Sequence, residues 1–474
     1  MKFSIKLLLP AVMLVGCTKN IDSYNEETKK PAKVPAATIF SNSVKSLADG
    51  LANASVNVNV FRFTIKHWSM ATYQDEVQYD FTTRAIPDAW WARMYRDVLN
   101  DLQDAAKVTE ETVAVDDEVK ANQLAVIDLM QVYTYSILVN TFGNVPYTLA
   151  LNDKVLFPTY DDAKTIYADL LARTSSNIGK ITSSKSGFSA TQDFIGGGNM
   201  NLWLKFAHSL RIKLAMTIAD VDNATAKSAI ESSASFALSN NSDKIQIAYP
   251  NEATPNPLYS DIVLGGRNDY LASVDLMTPL ISMEDPRKAQ FFGTNNAGDF
   301  VGGIVGAGNV TSEVSKPSSK VSDARAPYVY MDNIETEFFL AEAIERGYNV
   351  GGTAAEHYAK AIKASIIAWG GTEAEADKYV ARPDVAYATA KGDWKEKIGF
   401  QKWIALYGRP YEGWTEVRRL DYPKLTAVVG AKAEFPNRLT YPANEQQTNG
   451  GSYTEAAAAI GGDKLGTKIF WDKF

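Results

Sequence analysis

The chain has 474 residues, 46% of them hydrophobic and 22% charged, the balance of an ordinary globular protein. Its formal net charge of −7 argues against a nucleic-acid partner, because such partners are held by neutralising phosphates. The roughly 430 residues beyond the N-terminal segment are long for one compact core, so two domains or one large helical array is expected.

Met1, Lys2 and Lys6 open the chain with a small basic segment, and Leu7 to Val15 is apolar apart from Pro10. A bilayer span needs about 20 residues, whereas the h-region of a secretory signal peptide needs only about 7–15. Leu14-Val15-Gly16-Cys17 then resembles the lipobox of bacterial lipoproteins, and Cys17 is the single cysteine of the chain. In signals of that kind the thiol receives a diacylglyceryl group and becomes the new N-terminus. The chemistry needs a soft nucleophile at that position. The plainer alternative is an inert cysteine in a signal peptide cleaved further on. A lone thiol forms no internal disulfide, which favours the lipid role. Acyl chains, palmitate among them, hold a protein at a membrane by about 0.8 kcal/mol per buried CH₂. Residues 18–38 are polar and charged with two prolines, and read as a flexible tether. No later segment approaches 18 uninterrupted apolar residues, so no membrane span is expected beyond the signal peptide.

Helical periodicity predicts helices at Asp88 to Val108, Val119 to Asn140 and Ala163 to Asn177, and over residues 199–221. In the last, Trp203, Phe206, Ala207, Leu210, Leu214 and Ile218 form one stripe, while Leu204, Ile212 and Met216 lie on other faces. A helix apolar on several faces is sandwiched between neighbours. Further helices are predicted at Ala224 to Ser239, Ile334 to Arg346, Ala354 to Trp369 and Trp394 to Leu406. They tend to come in pairs. Between Ile334–Arg346 and Ala354–Trp369, Gly347, Gly351 and Gly352 stop the first helix. Small alanines beside Tyr358 resemble the packing of tetratricopeptide pairs. Residues 241–332, and the stretch from about Tyr422 to Phe474, are irregular and rich in Gly, Pro, Asn and Ser. Loops of that length are more often functional than decorative.

The lipobox, "NLWLKFAHSLRIKLAM", "GGRNDYLAS" followed by "MEDPRKAQFF", "FFLAEAIERG", "QKWIALYGRPYEGWTEVRRLDYPKL", "YPANEQQTN" and "KLGTKIFWD" together resemble the SusD/RagB superfamily of outer-membrane lipoproteins, most closely its SusD-like group 2 branch. The resemblance covers nearly the whole chain. It implies a mostly α fold of tetratricopeptide-like helical pairs with long irregular loops, organised as a signal peptide (1–16), a lipidated tether (17–38) and a single helical domain (39–474). It also implies a function without catalysis: oligosaccharides are captured at the cell surface and passed to a SusC-like TonB-dependent transporter. Oligopeptides are the alternative ligand within the family. Neither a cofactor nor a metal is expected.

Sugar rings stack their C–H faces on aromatic side chains, and their hydroxyls need Asn, Asp, Gln or Arg. Residues 65–84, "IKHWSMATYQDEVQYDFTTR", have that mixture and no helical period. Trp68 and Tyr73 are the expected platforms, with Gln74, Asp75 and Asp80 for hydroxyls; the alternative is that both aromatics merely cover helix ends. Arg267, Asn268, Asp269 and Tyr270 form a second candidate, against which stands an internal salt bridge holding the loop.

Other prominent residues read as structural. Trp90, Trp91 and Tyr95 are expected in helix packing. Trp403, Trp414, Arg418 and Arg419 are expected in the C-terminal helices, with the arginines bonding carboxylates or helix ends. His67, His208 and His357 lack a metal-ligand spacing, no acidic loop has a convincing calcium pattern, and "GGGNMN" at 196–201 lacks the Gly-Lys-Ser/Thr of a P-loop. The main rival is a surface glycoside hydrolase, which needs two carboxylates about 5–10 Å apart. No catalytic motif marks such a pair among the 55 acidic residues. A helical scaffold that binds only protein is the third reading.

Overall fold

In the computed structural model, residues 34–55, 57–113 and 115–474 are described. Cys17, the signal peptide and residues 18–33 of the expected tether lie outside them. The first helix, Ala36–Ala52, starts inside the span assigned to the tether. Phe40, Val44, Leu47, Ala48 and Leu51 recur along one face of it, and all are fully buried. Those apolar positions draw the segment into the core.

The next helical run is continuous from Ile86–Ala92 through wide π-type turns at Arg93–Leu99 into Asn100–Glu111. It packs on the first helix where Gly50 leaves room for Arg93. A Cβ at Gly50 would come within 2.4 Å of the Arg93 side chain. Arg93 then donates to the Ser46 carbonyl at 3.1 Å.

Asp117–Phe142 is the central helix. The Asp116 carboxylate caps it by accepting from the Glu118 and Val119 amides, and Gly143 ends it with a φ of 85°. It packs against Ala163–Lys180, which packs in turn on Met200–Thr217. In Met200–Thr217 Trp203, Phe206, Leu210, Ile212, Leu214 and Met216 are all buried, so the predicted sandwiched position holds. The helix predicted to end at Ser239 is shorter: Asn223–Glu231 is helical, followed by a single 3₁₀ turn at Ala234–Phe236.

The pair Asn333–Glu345 and Ala354–Ala368 is joined by the predicted glycine turn, and Thr353 with Glu356 forms a capping box at the second start. Ala361 sits in one apolar cluster with Phe338 and Tyr358. Small residues here let the antiparallel helices approach. Trp394–Ala405 and Pro410–Leu420 form the last such pair.

Buried ions tie these pairs together. Arg409 donates to Asp332 at 2.8 Å and to Glu335 at 2.9 Å. Lys213 faces Glu335 and Glu412. Arg419 bridges Glu342 and Glu416, Lys402 reaches Glu416 at 2.8 Å, and Arg346 spans Glu342 and Asp220. As expected, Arg418 serves a helix end, donating to the Asn140 and Asn437 carbonyls. Trp90, Trp403 and Trp414 are buried, and Trp91 packs on Tyr95, Phe142 and Tyr160.

Two small antiparallel sheets hold the loops. β1 (Trp68–Met70) pairs with β3 (Tyr270–Ala272), in the register Trp68 to Ala272 and Met70 to Tyr270. β2 (Lys244–Ile247) pairs with β4 (Tyr328–Asp332), with an irregularity between Ile245 and Gln246. Helices at Val274–Ser282, Glu373–Val380 and Gly450–Ala459 were not predicted. Residues Ala36–Phe474 form one compact unit, and among the described residues no helix is long and apolar enough to cross a membrane.

Candidate ligand-binding surface

β1 and β3 bring the two candidate segments side by side. All six of their residues are buried, so the ladder is a rigid base from which polar loops emerge. Beyond Met70 the Ala71 amide donates to the Asp269 carbonyl at 3.0 Å. The Thr72 hydroxyl donates to the Asp269 carboxylate at 2.9 Å. Arg267 closes the same loop with two hydrogen bonds to Asp269, at 2.7 and 2.9 Å. The salt bridge weighed as the structural role of this segment is therefore present. Burial raises the Asp269 carboxyl, but the bonds from Arg267 and Thr72 outweigh it and hold Asp269 below its usual range.

Tyr73 follows in a left-handed conformation, with φ 55° and ψ 58°. Only a small fraction of non-glycine residues adopts it. The turn lifts the side chain out of the strand's buried environment, and Tyr73 is 53% exposed. Two guanidiniums stand over its ring, Arg267 at 5.3 Å from the ring centre and Arg84 at 5.5 Å. Arg84 is anchored from below by the buried Glu76. Nothing in the sequence singled out Arg84, because it lies in a loop with no period to place it.

Trp68 corrects the expectation of a second platform. It is fully buried, its indole N–H donates to the Tyr407 hydroxyl at 2.8 Å, and its ring lies under Arg62 and beside Phe63 and Tyr270. Tyr270 is also buried, and its hydroxyl donates to the Ala54 carbonyl. Neither ring is offered to a ligand. Gln74 donates from its amide back to the Met70 carbonyl at 2.9 Å. Asp80 accepts from the Thr83 amide and the Thr82 and Thr83 hydroxyls, and these bonds hold it down to about 2. Asp75 pairs with Lys432 at 2.5 Å. Asn268 is exposed beside Arg267.

Neighbouring loops widen the surface. Gln78 donates to the Gly306 carbonyl at 2.9 Å, the Lys432 amide donates to the Gln78 carbonyl at 2.8 Å, and Asn309 donates to the Met70 carbonyl at 2.9 Å. These loops expose Ile304, Val310 and Val429. An exposed ring, two guanidiniums and an exposed amide, framed by apolar side chains, suit a ligand with both C–H faces and hydroxyls.

Elsewhere the polar residues serve the fold. His67 is buried and bonded to the Trp403 carbonyl at 3.0 Å. His357 bonds Glu337 at 2.5 Å. Among the described residues no cluster of three metal-ligating side chains occurs. The glycines at 196–198 do form a cradle of amides, but the Asp193 carboxylate fills it, accepting from Gly196, Gly198 and the Trp203 indole.

A family model described as "Starch-binding associating with outer membrane" matches residues 28–442. Among solved structures, a chitin-binding protein superposes with a TM-score of 0.80 at 23% identity, covering 93% of this chain and 100% of its own. A SusD homologue from Bacteroides uniformis gives 0.76 at 24% identity, covering 93% and 99%. A chitin-binding SusD homologue from Flavobacterium johnsoniae gives 0.75 at 22% identity, covering 92% and 98%. At these identities the likeness establishes the mostly helical fold. No curated protein matched the chain.

Proposed function

The chain belongs to the SusD-like family of starch-binding proteins that associate with the outer membrane, and from that premise we propose that it binds oligosaccharides and delivers them to a SusC-like TonB-dependent transporter. The observation that carries the reading is the convergence of two segments, distant in sequence, on one exposed surface at Tyr73, Arg267 and Asn268. The ring supplies an apolar contact for a sugar face. Arg84 and Arg267 supply N–H donors whose positions are fixed by Glu76 and Asp269. Such a site binds and orients its ligand without chemistry.

The rest of the proposal is a division of labour. A lipid on Cys17 holds the protein at the cell surface, in the outer membrane, by its acyl chains. The helical pairs are the side that meets the transporter, and the loops present the ligand surface. Affinity for one glycan need not be high, because docking on a membrane partner confines the ligand near the channel mouth. That relatives in this fold are named for chitin binding supports a glycan over a peptide and a binder over an enzyme.

The test has two arms. Calorimetric titration with starch and chitin oligosaccharides, and with an oligopeptide mixture, should show binding to a glycan and no turnover. Copurification of the lipidated protein from native outer membranes in mild detergent should bring down a large β-barrel transporter. Binding of peptides alone, or release of shortened glycans, would replace the ligand or the mechanism. Recovery of the protein alone from membranes where it is abundant would remove the transporter.

A further inference from the structure

A second concavity lies apart from the Tyr73 surface, with a cavity volume of about 340 Å³. That falls within the range of small-molecule sites, about 300–1,000 Å³. β2 and β4 form one wall, and the ends of Ala354–Ala368 and Trp394–Ala405 form another. Its lining includes Arg62, Gln246, Lys320, Tyr328, Trp369 and Tyr407.

Three of these carry buried polar atoms with no hydrogen-bond partner among the described residues: Arg62 Nε, Gln246 Oε1 and the Tyr328 hydroxyl. Buried polar groups are nearly always paired, because an unpaired one forfeits its hydration. Arg62 is the extreme case. It is 1% exposed, and its guanidinium makes one long hydrogen bond, 3.3 Å to the Ala52 carbonyl. It rests 4.4 Å above the Trp68 ring. No carboxylate lies within ion-pair distance of it among the described residues, and Asp261 favours its charge only from further away. Arg409, lining the same cavity, shows the contrast: Asp332 and Glu335 both neutralise it. Burial lowers the Arg62 guanidinium to about 10, which leaves it charged at neutral pH.

The cavity is electropositive in a chain whose net charge is −7. Lys244, Lys320, Arg325, Arg62 and Arg409 line it against only Asp323 and Asp332. Trp369, half-buried at the rim, adds an aromatic side, backed by the buried Tyr407 ring 5.7 Å away between centres.

We propose that this cavity is a binding site for an acidic monosaccharide unit of the uronic-acid type, its carboxylate neutralising Arg62 and its hydroxyls meeting Gln246 and Tyr328. A guanidinium recognises a carboxylate through directional, charge-assisted hydrogen bonds. An amide oxygen and a phenol suit ring hydroxyls, and the Trp369 ring suits a C–H face. The site stands on its own residues and does not require glycan binding at Tyr73.

The test titrates the full chain with glucuronate, glucose and acetate, following calorimetry and the tryptophan fluorescence to which Trp369 contributes. Glucuronate should bind at least about tenfold more tightly than either glucose or acetate, a gap of about 1.4 kcal/mol. Arg62→Met should abolish that preference. Because Arg62 is buried and its variant risks misfolding, Gln246→Leu and Lys320→Met, at less buried positions, should each weaken glucuronate severalfold with melting unchanged. Tyr73→Ala should leave glucuronate binding intact. Equal binding of glucuronate and glucose, equal binding of acetate, or no binding would overturn the proposal. Loss of glucuronate binding in Tyr73→Ala would also overturn it, by moving the sugar to the other surface.

Discussion

The Arg267 guanidinium stands 5.3 Å from the centre of the Tyr73 ring, although the two residues come from loops far apart in the chain. The three-residue ladder of β1 and β3 sets the distance, because Met70 pairs with Tyr270 and Asp269 then holds both Thr72 and Arg267. One carboxylate thus fixes the aromatic and the cation in a common frame. A preformed pairing of this kind loses little further conformational freedom on binding a ligand.

Tyr73→Ala should reduce glycan affinity by about tenfold or more, a loss of about 1.4 kcal/mol, while leaving the melting temperature unchanged because the side chain is 53% exposed. Tyr73→Gly should lose as much affinity, even though glycine suits a φ of 55° better than tyrosine does. Calorimetric titration of both variants decides the point. Undiminished affinity in either would place the glycan elsewhere.

Trp68 should behave as a core residue. Trp68→Ala removes a fully buried indole and should destabilise the fold by about 3–5 kcal/mol. Trp68→Phe keeps most of the packing but leaves the Tyr407 hydroxyl without its 2.8 Å donor, a loss of about 1 kcal/mol. Urea unfolding gives both numbers. Ligand affinity of the folded Trp68→Phe protein should equal that of the parent. A large fall in affinity with stability intact would return Trp68 to the binding surface.

The difference between Trp68 and Tyr73 shows what the sequence could and could not convey. Both sit in one segment of aromatic and polar residues, and composition alone makes them equivalent. Their fates separate because the strand ends at Met70 and the backbone turns left-handed at Tyr73. That event leaves no periodic signal. Strands of three residues buried throughout also show no alternation, so the meeting of residues 68–70 with 270–272 was not legible. The long helices were, since stripes such as Trp203, Phe206 and Leu210 repeat over several turns. Val274–Ser282 escaped because it is short and carries Pro279 within it. Gly450–Ala459 begins with two glycines and buries only Ala456.

Acid should destabilise the protein in two overlapping windows. Burial, with the Arg62 charge nearby, holds His67 down to about 3, below its ordinary 6.5. The unfolded chain therefore takes up this proton first. The stability contributed by neutral His67 is complete above about pH 6.5 and is lost as pH falls towards 3. His208 follows the same sign, lowered to about 4 chiefly by burial. His357 has the opposite sign: burial lowers it, but the Glu337 and Gly351 bonds outweigh this and raise it. Its contribution is complete below about pH 6.5 and is lost as pH rises through the raised folded value. Between pH 6 and 5, His67→Gln should flatten the fall in urea stability by about one proton, or 1.4 kcal/mol per pH unit. Parallel slopes for variant and parent would show that His67 is charged in the folded protein.

The second window belongs to the buried carboxylates and centres on Arg419. Burial alone would raise Glu416, yet Arg419 and Lys402 outweigh it and bring Glu416 down to about 2. Glu342 is lowered in the same way, with Arg419 the first cation to offset its burial. A depressed carboxylate contributes stability that is present above its unfolded value, near 4.5, and lost as pH falls through the folded one. Arg419→Ala would leave both carboxylates buried with a shared partner missing, and removing one member of a buried pair typically destabilises by about 3–5 kcal/mol. The loss should be largest at neutral pH and shrink below pH 4.5, where protonation of Glu342 and Glu416 relieves the unpaired charge. Arg419→Ala with Glu342→Gln and Glu416→Gln should recover part of the loss at pH 7. Urea unfolding of the three proteins at pH 7 and pH 4 tests this. A deficit independent of pH, and unrelieved by the glutamines, would mean that the packing of Arg419 against Phe339, and not its charge, joins these helices.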